Sequence, residues 1–292
     1  MKSFNNILVI AQDVYSNEVV LEKALQVAKR AHADLTVIAN RNDQEIESHL
    51  ERLYQQFLTD SYQRFQAPLD KPRLEINIKY HKAPFSHRTI LAEISEHNYD
   101  LLVKDINSVC MHWWLSWSDN QYLLREPDTN LLLVGNTKWP ERGHILAAIE
   151  TEEATEKHRQ LNQFMLDESQ YLASLLDSDM HVINCYQEQP SISLATPLLN
   201  GNAIEPSQEH WQHLQETVHD VGLTQEHTHL EQGLPEFVIP NAVEKYHINI
   251  VALGAGEHNG VLSMLKGHSS EYIVDTLTCD ALILKANMRD QH

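Results

Sequence analysis

The stretch INIVALGAGEHNGVLSMLKGHSSEYIVDTLTCDALILKAN, residues Ile248–Asn287, decides the fold. It opens on an apolar run, passes through glycines and a serine-containing helical pattern, and ends on a second apolar run, ALILKAN. Two short apolar runs separated by a helical segment predict a βαβ unit, in which a helix joins two parallel strands. Because both runs are continuously apolar, we expect the sheet to be covered on both faces.

This pattern of strands and helices occurs twice along the chain. The runs NNILVIAQD (Asn5–Asp13) and GHILAAIET (Gly143–Thr151) each precede a long helical pattern and then a second strand, DLTVIAN or DMHVINCY. A period of about 140 residues is too long for a solenoid repeat and suits a duplicated domain. The sequence therefore predicts two doubly wound α/β domains, over residues 1–138 and 143–287, joined by TKWPERG (Thr137–Gly143).

Composition excludes several classes of protein. With 22 Lys and Arg against 41 Asp and Glu, the net charge is −19 and no basic run is present, which disfavours nucleic acid as a partner. The amino-terminal apolar run is too short for a secretory signal, and no segment approaches the roughly 20 apolar residues of a membrane span. We therefore expect a cytoplasmic protein. Its three isolated cysteines, without a CxxC spacing, predict reduced buried thiols.

The segments GLPEFVIPNAVEKYHINIVALGA and SSEYIVDTLTCDALILKAN resemble the universal stress protein family, in its tandem, UspE-like form. The resemblance covers nearly the whole chain. It implies two Rossmann-like domains, each with a five-stranded parallel sheet, in a non-enzymatic stress-response protein that binds or senses a ligand. It also implies a pseudo-dimer within the chain, in which the last strands, NLLLVGN and ALILKAN, pair; a homodimer of the whole chain stays open.

A phosphate-binding loop is the main candidate site. Glycines after a strand let backbone N–H groups approach a phosphate, and the next helix N-terminus adds positive potential. ATP-binding members of the family have Gly, two residues, Gly, nine residues, Gly and then Ser or Thr. Here Gly254 and Gly267 match the first and last glycines, but the second falls on Glu257, whose carboxylate repels a polyphosphate. The resemblance implies ATP or another nucleotide, in the second domain only, on Glu150, Asn184, Gly254, Gly256, Gly267, Ser269 and Ser270.

The first half lacks the glycine loop. After DLLVKD comes INSVCMHWWLSWSDNQYLLREPDTN, in which the phosphate loop is replaced by an aromatic segment containing Trp113, Trp114 and Trp117. This half is predicted not to bind a nucleotide in the manner of the family. The tryptophans have two interpretations: they pack between domains or subunits, or they line an apolar slot for an amphiphilic small molecule.

Other functions stay open as alternatives. A slow ATPase or phosphotransfer enzyme could use the same second-half site, and a ligand-free interaction scaffold would use neither site. No GxSxG or P-loop motif is present, and no catalytic residue is assigned. The pairs His210/His213 and His227/His229 could bind Zn²⁺ or Ni²⁺ if they met, but chance pairs are expected among 18 histidines, so no metal site is assigned.

Overall fold

The fold is a ten-stranded sheet with helices on both faces. The computed structural model describes residues 4–11, 14–40, 46–65, 74–81, 86–106, 122–124, 129–151, 155–187, 206–255, 273–274 and 276–285. Its strands are β1 (Asn6–Ala11), β2 (Asp34–Asn40), β3 (Ile76–His81), β4 (Leu101–Asp105), β5 (Asn130–Val134), β6 (His144–Ile149), β7 (Asp179–Tyr186), β8 (Thr228–Gln232), β9 (Ile250–Ala255) and β10 (Asp280–Lys285). Its longer helices are α1 (Val14–Ala31), α2 (Ile46–Phe65), α3 (His87–Glu96), α4 (Glu156–Leu176), α5 (Pro206–Val218) and α6 (Pro235–Lys245).

The strand order confirms the predicted fold class. The order is β3-β2-β1-β4-β5-β10-β9-β6-β7-β8, so each half contributes five parallel strands in the same doubly wound arrangement. β5 and β10 pair in antiparallel fashion, with Leu132 opposite Leu282. The expected pairing of NLLLVGN with ALILKAN is therefore present, and it removes two exposed sheet edges. The boundaries 1–138 and 143–287 stay a prediction.

An approximate two-fold relation is visible in the hydrogen bonds at this seam. Asn130, the first residue of β5, accepts a bond from the backbone N–H of Lys285 at 2.9 Å. Asp280, the first residue of β10, accepts the matching bond from the backbone N–H of Gly135, also at 2.9 Å. The two halves thus meet through equivalent contacts, as expected if one unit has been duplicated.

Two apolar layers flank the sheet. One packs against α1, α2, α4 and α5, and the other against α3 and α6. Along β6, Ile145 and Ala147 face the first layer while Leu146 and Ala148 face the second. This alternation explains why the strands are apolar at nearly every position.

Two further helices and two of the three cysteines, both partly buried, lie within the described residues. In the first half the segment after β2 forms α2, and in the second half α5 begins at Pro206. Cys185 and Cys279 are free thiols, and burial raises the pKa of each to about 12. Cys110 and the tryptophans of the aromatic segment lie outside the described residues.

Candidate functional site

Three of the predicted site residues meet at the carboxyl edge of the sheet. Glu150 directly follows β6, Asn184 lies in β7 opposite Ile149, and Gly254 lies in β9 one residue beyond the pairing of Leu253 with Ala148. β6 lies between β7 and β9. The connection from β6 leads to β7 on one side, and the later connection from β8 leads to β9 on the other side, so the strand order reverses beside β6. Ligands of open α/β sheets bind at such a switch point.

The backbone of Glu150 is held by the helix that follows it. Asn162 of α4 donates from Nδ2 to the carbonyl of Glu150 at 2.6 Å, and its Oδ1 accepts from the Glu150 N–H at 3.4 Å. The start of α4 is capped by Thr155, whose Oγ1 accepts from the His158 N–H at 3.3 Å. Glu150 is only 6 % exposed, so it is buried at the carboxyl edge of the sheet.

Asn184 has a buried acceptor that the described part of the chain does not satisfy. Its side chain is fully buried, and Nδ2 donates to Oγ1 of Thr151 at 2.7 Å. Oδ1, however, has no hydrogen-bond partner among the described residues. A buried polar atom left in this state costs about 1–3 kcal/mol. A ligand carrying an N–H or O–H donor would recover that cost.

Gly254 has a packing role that the sequence did not predict. A Cβ atom at this position would lie 2.6 Å from Sδ of Met165 and 3.4 Å from Cδ2 of Leu161, both on α4. The glycine therefore lets α4 lie close against β9. Its predicted contact with phosphate stays a prediction, and the remaining loop positions lie outside the described residues: Gly256, Glu257, Gly267, Ser269 and Ser270.

The equivalent positions of the first half carry different chemistry. In the first half, Ala39 of β2 pairs with Ala11 of β1. In the second half, the equivalent position of β7 is Asn184, which pairs with Ile149 of β6. The pair Ile10–Lys104 of the first half is equivalent to the pair Ala148–Leu253 of the second. The next residue along the fourth strand of each half is therefore Asp105 in the first half and Gly254 in the second. A methyl group thus replaces the amide, and a carboxylate replaces the glycine. Both differences can be read from the sequence by comparing its two halves. They support the prediction that the first half does not hold a phosphate.

A chain of histidines was missed by sequence reasoning. Nδ1 of His144 lies 3.0 Å from Nε2 of His181, and Nδ1 of His181 lies 3.1 Å from Nε2 of His229. The ring of His227, in the 3₁₀ turn before β8, also contacts His181, with centroids 4.4 Å apart. Residues this far apart meet only through the register of β6, β7 and β8.

Two of these histidines, His181 and His229, have pKa values well below the ordinary range. Burial lowers the pKa of His181 and of His229 to about 4, and repulsion from His227 acts in the same direction on both. A neutral imidazole donates from one nitrogen and accepts at the other, which is what a hydrogen-bonded chain of rings requires. Within the described ranges, no group of three or more His, Cys, Asp or Glu is arranged to hold a metal ion.

Comparison with known proteins agrees with this geometry. Residues 141–285, which span β6 to β10, match the model of the Universal stress protein family. Over the whole chain, the sequence is similar to the Universal stress protein E homolog of Haemophilus influenzae, 25% identical with 98% of this chain and 99% of that protein covered. The chain belongs to the universal stress protein family. This membership supports a role in the stress response.

Further relatives extend the comparison. Universal stress protein E of Escherichia coli K12 is 27% identical over 73% of this chain and 68% of its own length. Two solved structures share the fold. A putative universal stress protein from Pseudomonas aeruginosa has a TM-score of 0.71 and 21% identity, with 97% of this chain and 93% of that chain covered. A universal stress protein from Archaeoglobus fulgidus has a TM-score of 0.57 and 15% identity, with 97% of each chain covered. Among the described residues of this universal stress protein, no helix is long and apolar enough to cross a membrane.

Proposed function

We propose that this protein is a cytoplasmic tandem universal stress protein whose second half binds a nucleotide or a nucleotide-linked ligand, while its first half binds none. The two five-stranded halves support the tandem arrangement, and the different residues at their carboxyl edges support the division of roles. On this proposal the protein is a binding or sensing module and not an enzyme.

The unsatisfied Oδ1 of Asn184 is the observation that carries the proposal. It lies at the switch point, one strand from the acidic Glu150. A nucleoside offers hydroxyl and amino donors to both groups, whereas the ionised oxygens of a nucleotide's phosphates only accept hydrogen bonds. Adenine and ribose therefore suit the described part of the crevice better than phosphate alone does.

The phosphate end is proposed from the sequence pattern. Backbone N–H groups of Gly254, Gly256 and Gly267, with Ser269 and Ser270, would hold the phosphates. Glu257 adds a repulsion of about 1 kcal/mol per unit charge at close range, which corresponds to roughly a fivefold loss of affinity. We therefore expect Glu257→Gly to tighten the binding of ATP more than that of adenosine.

Titration calorimetry with Mg·ATP, ADP and adenosine tests the proposal. Asn184→Leu removes the amide without leaving a cavity, so it is expected to weaken all three ligands about tenfold or more. It should not lower the melting temperature, because the unsatisfied acceptor is removed as well. Equal affinity in Asn184→Leu and the wild type would contradict the assignment of this crevice.

Three alternatives make different predictions for variants of the second-half site. A slow ATPase or phosphotransfer enzyme would show Mg²⁺-dependent turnover that Gly267→Asp abolishes. A ligand-free scaffold would show no change in ligand content or in melting temperature for Glu150→Ala and Ser270→Ala. An amphiphilic ligand of the aromatic segment would bind equally well in wild type and in Gly267→Asp.

A further inference from the structure

A groove of about 720 Å³ runs along β8, the outer strand at one end of the sheet. One wall is the face of α5, and the opposite wall includes Tyr246, which follows α6. β7 separates the groove from the β6–β9 crevice, so the groove is a second site. It is shallow, largely open to solvent, and crosses the free edge of β8, with α5 on one face of the sheet and Tyr246 on the other. Its volume falls in the range of small-molecule sites, about 300–1,000 Å³.

Glutamine amides form much of the polar lining. Gln208, Gln212 and Gln215 lie four and three residues apart along α5, so they share one face of the helix. Gln225 faces the groove from the turn before β8. None of these four side-chain amides bonds to another described residue. Each amide offers two donors and an acceptor oxygen, so together they can bond to several hydroxyl groups at once.

Aromatic rings supply apolar surface on both sides of the β8 edge, Trp211 on the face that carries α5 and Tyr246 on the opposite face. Trp211 lies on α5 among the glutamines, and Tyr186 ends β7. Tyr246 is fixed by stacking on His229, with ring centroids 3.8 Å apart. Flat apolar faces beside amides match a ligand with polar edges and apolar C–H faces.

The described lining has no uncompensated charge to offer. Glu231 accepts from Nζ of Lys245 at 2.7 Å and from the hydroxyl of Tyr246 at 3.1 Å. His229 is neutral near pH 7, because burial lowers its pKa to about 4. A phosphate or a free carboxylate would find no cation here, and a cationic ligand would compete with Lys245 for Glu231. The lining therefore suits an uncharged ligand.

We propose that the groove beside β8 binds a neutral polyhydroxylated small molecule, a sugar or a polyol. The glutamine amides bond to its hydroxyl groups, and the ring of Trp211, on the same face of the sheet, covers an apolar face of the ligand. An extended peptide added to the free edge of β8 would depend on main-chain bonds and would be insensitive to the glutamines. The sensitivity of binding to the amides thus separates these two occupants.

Saturation-transfer NMR and calorimetry on the full chain test the proposal. The probes are glucose, galactose, mannose, maltose, trehalose and glycerol, with glucose 6-phosphate as the charged comparison. At least one neutral probe is expected to bind with a dissociation constant in the millimolar range or below. Glucose 6-phosphate should bind more weakly than glucose.

Paired variants on α5 give the control. Gln212→Ala/Gln215→Ala removes two exposed amides, so it is expected to weaken the sugar about tenfold or more. Glu209→Ala/Glu216→Ala changes the same helix outside the groove and should stay within twofold of wild type. The proposal is overturned if no neutral probe binds at tens of millimolar, or if the glutamine variant binds as tightly as wild type. Asn184→Leu should leave sugar binding unchanged, which distinguishes this site from the nucleotide crevice.

Discussion

Nζ of Lys23 lies 2.7 Å from Oδ2 of Asp280, and this buried ion pair joins the two halves of the chain. Lys23 belongs to α1 of the first half and also donates to the carbonyl of Gly135 at 3.1 Å. Asp280 begins β10 of the second half and also accepts from Nε1 of Trp139 at 2.7 Å. The pair lies at the seam between β5 and β10 with its polar atoms engaged, so it helps to fix how the halves meet.

Breaking this pair is expected to be costly. Asp280→Asn keeps an acceptor for the Gly135 N–H but leaves the ammonium of Lys23 buried without a counter-charge. We expect the free energy of unfolding, measured in urea, to fall by about 3–5 kcal/mol. The double variant Lys23→Met/Asp280→Asn should recover at least half of that loss; a double variant as unstable as the single one would contradict this account. Lys138→Met, which breaks an exposed pair with Glu22, should cost less than about 1 kcal/mol.

Gly254→Ala tests the packing of α4 on β9. The new methyl group would collide with Met165, so the helix or the methionine must move, at a cost of about 1–3 kcal/mol. Gly135→Ala is the matched control, because its nearest neighbour would be an Asp280 oxygen at 3.7 Å. We expect urea unfolding to show a loss for Gly254→Ala and little change for Gly135→Ala. Equal stability of the two variants would exclude the close approach.

The histidine chain predicts a loss of stability in acid. In the unfolded chain His181 and His229 take up protons near pH 6.5, but in the folded protein only near pH 4. Between these values the unfolded state binds more protons, so the free energy of unfolding falls as the pH falls, by roughly 3 kcal/mol for each of the two histidines. The groups that also act on these rings are His144, His227, Asp179, Glu231 and Lys245.

Unfolding curves measured between pH 7 and pH 4 check this prediction. His181→Gln/His229→Gln should flatten the pH dependence, while His213→Gln, an exposed residue of α5, should leave it unchanged. If the free energy of unfolding changes with pH by the same slope in the wild type and in the double variant, His181 and His229 do not titrate as described.

Glu168 predicts an effect of the opposite sign. Burial on α4 raises its pKa to about 7, with a smaller contribution from Asp167, and its Oε2 has no hydrogen-bond partner among the described residues. The unfolded carboxyl loses its proton near pH 4.5, so the folded state is penalised increasingly as the pH rises from 4.5 to 7. Glu168→Gln should therefore raise the free energy of unfolding at pH 8 by up to about 3 kcal/mol, and with it the melting temperature. At pH 4.5 both quantities should change little. An unchanged melting temperature at pH 8 would show that the carboxyl group is hydrated.

The sequence predicted those features that depend on local pattern and on the repeat. Apolar runs and helical periods identified the strands, and the position of Glu150 and Asn184 at strand ends placed them at one edge of the sheet. The equivalence of the last strands predicted the β5–β10 pairing. These inferences need only the order of elements and the direction of the chain.

The remaining features depend on register and packing between distant segments. Lys23 and Asp280 are 257 residues apart, and no local pattern relates them. The histidine chain requires the register of three strands, which a period of two residues does not fix. The short distance from Gly254 to Met165 depends on how closely α4 packs on β9, so the sequence indicated only a phosphate role for that glycine.

Native mass spectrometry of the freshly purified protein, with identification of any released small molecule, tests the central claim most directly. The claim is that the second half alone binds a nucleotide-class ligand. We predict a nucleotide or nucleotide-linked adduct of one molecule per chain, present in the wild type and lost in both Asn184→Leu and Gly267→Asp. A protein without adduct, whose mass and melting temperature do not change in millimolar Mg·ATP, would contradict the claim and leave the scaffold alternative.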